Sequence, residues 1–86
     1  MLSKRDRKAR LRSMERVYEL RRDNLRLAVN YLFNGSFAAL ALRLAVDPAR
    51  ITHLIGPNPV ATISEKTARG IEEQLQLPAG WLDLAR

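Results

Sequence analysis

These 86 residues contain no cysteine, which excludes disulfides and thiolate metal sites. There is a single histidine, His53, so no pair of imidazoles exists to build a metal centre, and nothing in the sequence forms a nucleophile-base pair with it. Long apolar runs are also missing. The longest, residues 37–42, is far short of the roughly 20 residues that cross a bilayer, and no apolar stretch of the kind a secretory signal needs follows the basic N-terminus. The four glycines form no phosphate-cradling pattern, and the Gly56-Pro57-Asn58-Pro59 stretch reads as a stiff connection. The expectation is a cytoplasmic, non-enzymatic protein with no cofactor, no metal, no small-molecule substrate and no membrane partner.

Charge is plentiful but unevenly placed. The net +6 lies wholly in residues 1–22, where nine basic side chains (Lys4, Arg5, Arg7, Lys8, Arg10, Arg12, Arg16, Arg21 and Arg22) face three acidic ones. From Asp23 onward six basic and six acidic residues cancel. This divides the chain into a basic arm or helical extension, 1–22, and a neutral domain, 23–86. A basic run is often only a solvated tail. If six to nine of these cations met phosphates, log affinity for nucleic acid would fall with log salt at a slope of about −5 to −8.

Residues 1–10 have no apolar period and read as mobile when free. From Leu11 a three-four alternation (Leu11, Met14, Tyr18, Leu25, Ala28, Leu32) predicts one helix from near Arg10 through Phe33, interrupted at one seam position by Arg21. Leu25, Val29, Leu32 and Phe33 are its expected inward residues. Two readings of its first half stand. Leu11, Met14, Val17 and Tyr18 form an oligomer contact with a second copy, or they pack on their own domain.

The most informative stretch is residues 37–56, FAALALRLAVDPARITHLIG. Leu40, Ala41 and Leu44 line one face of a first short helix, and Ile51, Leu54 and Ile55 one face of a second. Ala41 is small where two steeply crossing axes must approach. Asp47 is a good N-cap and Pro48 suits the first helical position; Gly56 with Pro57 and Pro59 stops the second helix. Ser36 caps the first helix. Further on, Thr62 and Glu65 have capping-box spacing for a helix from Ile63 to about Leu75, with Ile63, Thr67, Ala68, Ile71 and Leu75 inward and Glu72 and Glu73 on a solvated face. Pro78 opens a last short helix presenting Trp81 and Leu82 to the core.

Residues 21–84 resemble the small domain of the phage repressor and Cro family. The likeness is carried by the helix-turn-helix at 37–56, by RRDNLRLAV at 21–29 and by ISEKTARGIEEQLQLPAGWLD at 63–83. It implies an all-α, compact four- to five-helix lambda repressor-like domain, here with an extended basic N-terminal arm or helix. It departs from the family at Ala45, where the turn usually carries glycine.

The resemblance implies a sequence-selective regulator of transcription, phage or prophage encoded, that binds double-stranded DNA as a homo-oligomer in the bacterial host cytoplasm or nucleoid. The second helix would enter the major groove, so Pro48, Ala49, Arg50, Thr52 and His53 are the candidate base contacts. Only Arg50 can pair with two acceptors. Asn34, Ser36, Phe37, Arg43 and Asn58, with Lys4, Arg5, Arg7, Lys8, Arg10 and Arg12 of the arm, are the candidate backbone contacts. For Asn58 and Thr62, turn and cap duty is the simpler reading. Because the chain stops at Arg86, regulation by self-cleavage is not expected. Two alternatives remain: an accessory DNA-structural protein of phage transposition, recombination or packaging, and a helical protein-interaction adaptor.

Overall fold

The computed structural model describes the backbone of residues 4–86 and the side chains of residues 13–86. It is all helical: α1 Lys4–Phe33, α2 Phe37–Leu44, α3 Pro48–Ile55, α4 Glu65–Leu75, and a 3-10 turn at Trp81–Asp83. Among the described residues no single helix is long and apolar enough to cross a membrane. α1 is longer than the pattern predicted, its backbone being helical from Lys4 rather than from near Arg10.

α1 presents Leu25, Ala28 and Val29 to the core at 2% exposure or less. It stops where Asn34 (φ 53) and Gly35 (φ 81) turn left-handed and the Gly35 amide donates back to the Val29 carbonyl at 3.0 Å. Leu32 departs from its expected inward place, with half its surface exposed. Leu77, Trp81 and Arg86 line a surface groove with it and do not close over it.

α2 and α3 pack against each other across a short turn, as expected. Ser36 Oγ accepts from the Ala39 amide at 3.1 Å, and Asp47 Oδ1 from the Ala49 amide at 2.9 Å, so each helix starts on a side-chain cap. Leu40, Ala41, Ile51, Leu54 and Ile55 are buried on the facing sides, while Leu44 and Val46 pack at the edge. The Val46 amide donates to the Ala41 carbonyl at 3.0 Å, which closes the turn directly over the small residue. Ala45 takes the left-handed conformation, φ 56 and ψ 44.

A left-handed residue with a Cβ costs about 1–2 kcal/mol, against a gain of ~0.4–1 kcal/mol from the stiffer unfolded chain. Ala45→Gly is therefore expected to stabilise the domain by up to about 1 kcal/mol and to raise the melting temperature by a few degrees. A thermal melt that fell instead would show that the turn carries no strain.

The Gly56 backbone is extended (φ −69), not left-handed, so glycine is there for clearance. A Cβ on it would lie 2.5 Å from the Thr52 carbonyl oxygen. α4 begins two residues later than expected because Ser64, not Thr62, is the N-cap: its Oγ accepts from the Thr67 amide at 3.2 Å. Ile63, Ala68, Ile71 and Leu75 are buried as the period requires. After Pro78 the chain makes only the 3-10 turn, which sets Leu82 into the core at 0% exposure with Trp81 packed beside it.

Candidate nucleic-acid interface

Ile51, Leu54 and Ile55 turn inward on α3, and Pro48, Ala49, Arg50, Thr52 and His53 are all exposed. The five candidate base-contact residues thus share one uncovered surface. Thr52 Oγ1 donates back to the Pro48 carbonyl at 3.4 Å, a weak bond that an external acceptor could replace. Arg50 lines a groove between α3 and α4 whose α4 wall is Thr67, Gly70 and Gln74. The loop after α3 folds back on it through the amides of Val60 and Ala61, which both donate to the His53 carbonyl, at 2.9 and 3.2 Å.

The candidate backbone contacts are not all gathered. Asn34, Ser36 and Phe37 sit together where the first-turn amides of α2 point out of the helix. Arg43 is not with them. It lies in the last turn of α2, where its Nε and Nη2 donate to the Gln74 carbonyl at 3.3 and 3.0 Å. Asn58 is exposed in the loop after α3. The side chains of Lys4, Arg5, Arg7, Lys8, Arg10, Arg12 and Leu11 lie outside the described residues. Of the other oligomer candidates, Met14 is 45% exposed, and Val17 and Tyr18 are half-buried beside Ser64 and Glu65.

Most cations of the body are engaged internally. Arg21, an interruption of the seam in the apolar pattern, is buried: its Nε donates to Asp83 Oδ1 at 2.7 Å and its Nη1 to the Ile63 carbonyl at 2.9 Å. Arg69 places Nη2 2.9 Å from the same carboxylate and Nε 3.1 Å from Glu72 Oε1, ionic contacts rather than well-aligned hydrogen bonds. The two guanidinium groups, Arg21 foremost, hold the Asp83 carboxyl below the usual carboxylate range despite partial burial.

Glu72 is the plainest correction to the sequence reading. It is not on a solvated face but 1% exposed, accepting from the Gly80 amide at 2.9 Å and the Leu82 amide at 2.8 Å. Asn24, also buried, donates to the Leu82 and Leu84 carbonyls at 2.7 and 2.9 Å and accepts from Arg86 Nε at 2.9 Å. Arg86 in turn stacks 4.2 Å over the Trp81 ring. This polar network ties the C-terminal turn to α1 and α4.

Arg22 and Arg26 donate to carbonyls at the end of α3. Among the described residues, Arg50 and Lys66 are the cations left without an ion pair or hydrogen bond. With Arg21 and Arg22 engaged in the fold, at most seven of the nine N-terminal cations remain for phosphates, which lowers the steepest expected salt slope to about −6. Nor do any three His, Asp or Glu side chains among the described residues come together as a metal site.

No family model matches the chain, and no solved structure matches it. Among curated proteins it is similar to the prophage repressor CohE of Escherichia coli (strain K12), 34% identical over 71 residues. The match takes in 81% of this chain but 30% of the repressor, so the chain spans under a third of that protein's length. This likeness, the all-helical order and the capped corner of α2 and α3 together make the chain similar to a helix-turn-helix domain of the phage repressor type.

Proposed function

We propose that this protein binds double-stranded DNA as a sequence-selective, phage- or prophage-derived regulator of transcription, acting in the bacterial cytoplasm without catalysis or cofactor. The observation that carries the reading is α3 itself. Among the described residues nothing covers its outer surface, and Arg50, its one residue able to pair with two acceptors, has no ion pair or hydrogen bond. A helix presented this way fits the major groove by its N-terminal turns, with Arg50 on a guanine and Thr52 and His53 making single bonds. Asn34, Ser36 and Phe37 supply a phosphate anchor at the start of α2, and the basic N-terminal segment supplies most of the non-specific attraction. The exposed Met14, with Val17 and Tyr18 in the groove beside Ser64 and Glu65, is the contact for a second copy.

Arg50→Ala is expected to reduce discrimination at one base pair by about 1–3 kcal/mol while leaving binding to random duplexes unchanged. Titrating the best duplex from a random-library selection against random DNA checks this, and equal weakening on both would remove Arg50 from base reading. A neutral body and a recognition surface poor in long polar side chains favour one second reading, an accessory DNA-structural protein. The same titration at two salt concentrations separates the two, since a regulator keeps a specificity ratio above roughly 10³ and a structural protein does not.

A further inference from the structure

α3 is eight residues long, Pro48–Ile55, and a helix that short does not hold a direction by its own hydrogen bonds. Its start is fixed by the Asp47 cap and the tight turn from α2. Its far end has a different problem. The Thr52 oxygen takes the Gly56 amide and the His53 oxygen those of Val60 and Ala61, but Gly56 is extended and Pro57 has no N–H, and no backbone amide among the described residues reaches the Leu54, Ile55 and Gly56 oxygens. Leu54, Ile55 and Gly56 are nonetheless buried.

Two arginines of α1, one turn apart, take these carbonyls. Arg22 Nε donates to the Leu54 oxygen at 3.2 Å, Arg26 Nε to the Ile55 oxygen at 2.9 Å, and Arg26 Nη2 to the Gly56 oxygen at 2.9 Å. The remaining Arg26 nitrogen lies 3.5 Å from Asp23 Oδ1. Three successive carbonyls at the negative end of the helix are thereby held by two positive forks. Contacts through the apolar stripe of Ile51, Leu54 and Ile55 tolerate a small roll or slide, but three directional bonds to consecutive oxygens do not.

We infer that Arg22 and Arg26 are positioning residues that set the roll and depth of α3, and so the aim of Arg50, Thr52 and His53 at the bases. This rests on α3 being the base-reading helix. Neither arginine is counted among the DNA contacts, since both are engaged within the protein. Replacing the fork and keeping the charge isolates the effect, because one ammonium group cannot bridge the Ile55 and Gly56 oxygens as the guanidinium does.

The test compares Arg26→Lys and Arg22→Lys with the wild-type full chain at a temperature where circular dichroism shows all three folded. The probes are the best duplex from a random-library selection and a random duplex of equal length. The expected result for Arg26→Lys is a specificity ratio lower by roughly tenfold, with binding to random DNA and its salt slope unchanged. A lower melting temperature with an unchanged ratio would mean that the arginines only stabilise the fold, and would overturn the inference. Amide hydrogen exchange without DNA supplies an independent arm: exchange across α3 should quicken in the variants while α2 and α4 keep theirs. If the wild type prefers no duplex, the DNA-reading function fails and this arm alone judges the clamp; unchanged exchange in α3 would then overturn it.

Discussion

Glu72→Ala should cost about 3–4 kcal/mol, a large part of the roughly 4–13 kcal/mol that holds a domain of this size together. The substitution removes a carboxylate that is 1% exposed and leaves the Gly80 and Leu82 amides without their acceptor. It also strips Arg69 of one of its two anions. Each orphaned buried donor costs about 1–3 kcal/mol, and the unpaired guanidinium adds to that. The melting temperature should fall by at least about 12 °C. Glu73, its exposed neighbour, is the control: Glu73→Ala should change stability by no more than about 0.5 kcal/mol. Urea denaturation of the two variants measures both, and equal small effects would show that the C-terminal turn is not held by Glu72.

The second large effect concerns Asp83, which draws Arg21 and Arg69 to one carboxylate. Asp83→Asn leaves two guanidinium groups facing each other around a neutral amide, one of them on a side chain 8% exposed. Because Asp83 itself is partly open to solvent, the expected loss at pH 7 is about 2–3 kcal/mol, at the lower end for a broken buried pair. The dependence on pH has a definite sign. The folded pKa of Asp83 lies below its unfolded value of about 3.9. Its contribution is therefore complete above about pH 4 and is lost as pH falls through the depressed folded value. Unfolding free energies measured from pH 7 down to pH 2 should show wild type and Asp83→Asn converging at the acid end. A constant gap across that range would mean that the carboxylate charge is not what stabilises the turn.

Composition and period alone misplace Glu72 and pass over the role of Arg21, for different reasons. Glu72 completes the 68, 71, 72, 75 stripe of α4, so the helical period pointed it inward while its charge argued outward. The period prevails because two backbone amides of the following turn solvate the carboxylate in place of water. By period alone Arg21 is only a flaw in an apolar seam. That flaw was the signal: an arginine at an inward position requires a buried acceptor, and the Ile63 carbonyl and Asp83 provide it. Leu32 failed in the opposite sense, since its period was right but no element reaches over it.

The local features of the corner were legible from residue identities. The caps at Ser36 and Asp47, the proline at the start of α3, the small Ala41 at the crossing and the inward stripe of Ile51, Leu54 and Ile55 all depend on neighbours within a few positions. The chemistry of each residue decides such features wherever the segment ends up. The same holds for the five exposed residues of α3, which are the complement of that stripe.

What only the tertiary structure decided is where the arginines go. Arg21 finds its carboxylate 62 positions away, Asn24 reaches carbonyls about as distant, and Arg22 and Arg26 grip a helix end about 30 positions on. A helical period gives the angle of a side chain about its own axis and says nothing of which polar atom waits there. That partner is supplied by a different part of the chain, brought near by the packing of the apolar residues, and so a net charge read along the sequence counted as available several cations that the fold had already engaged.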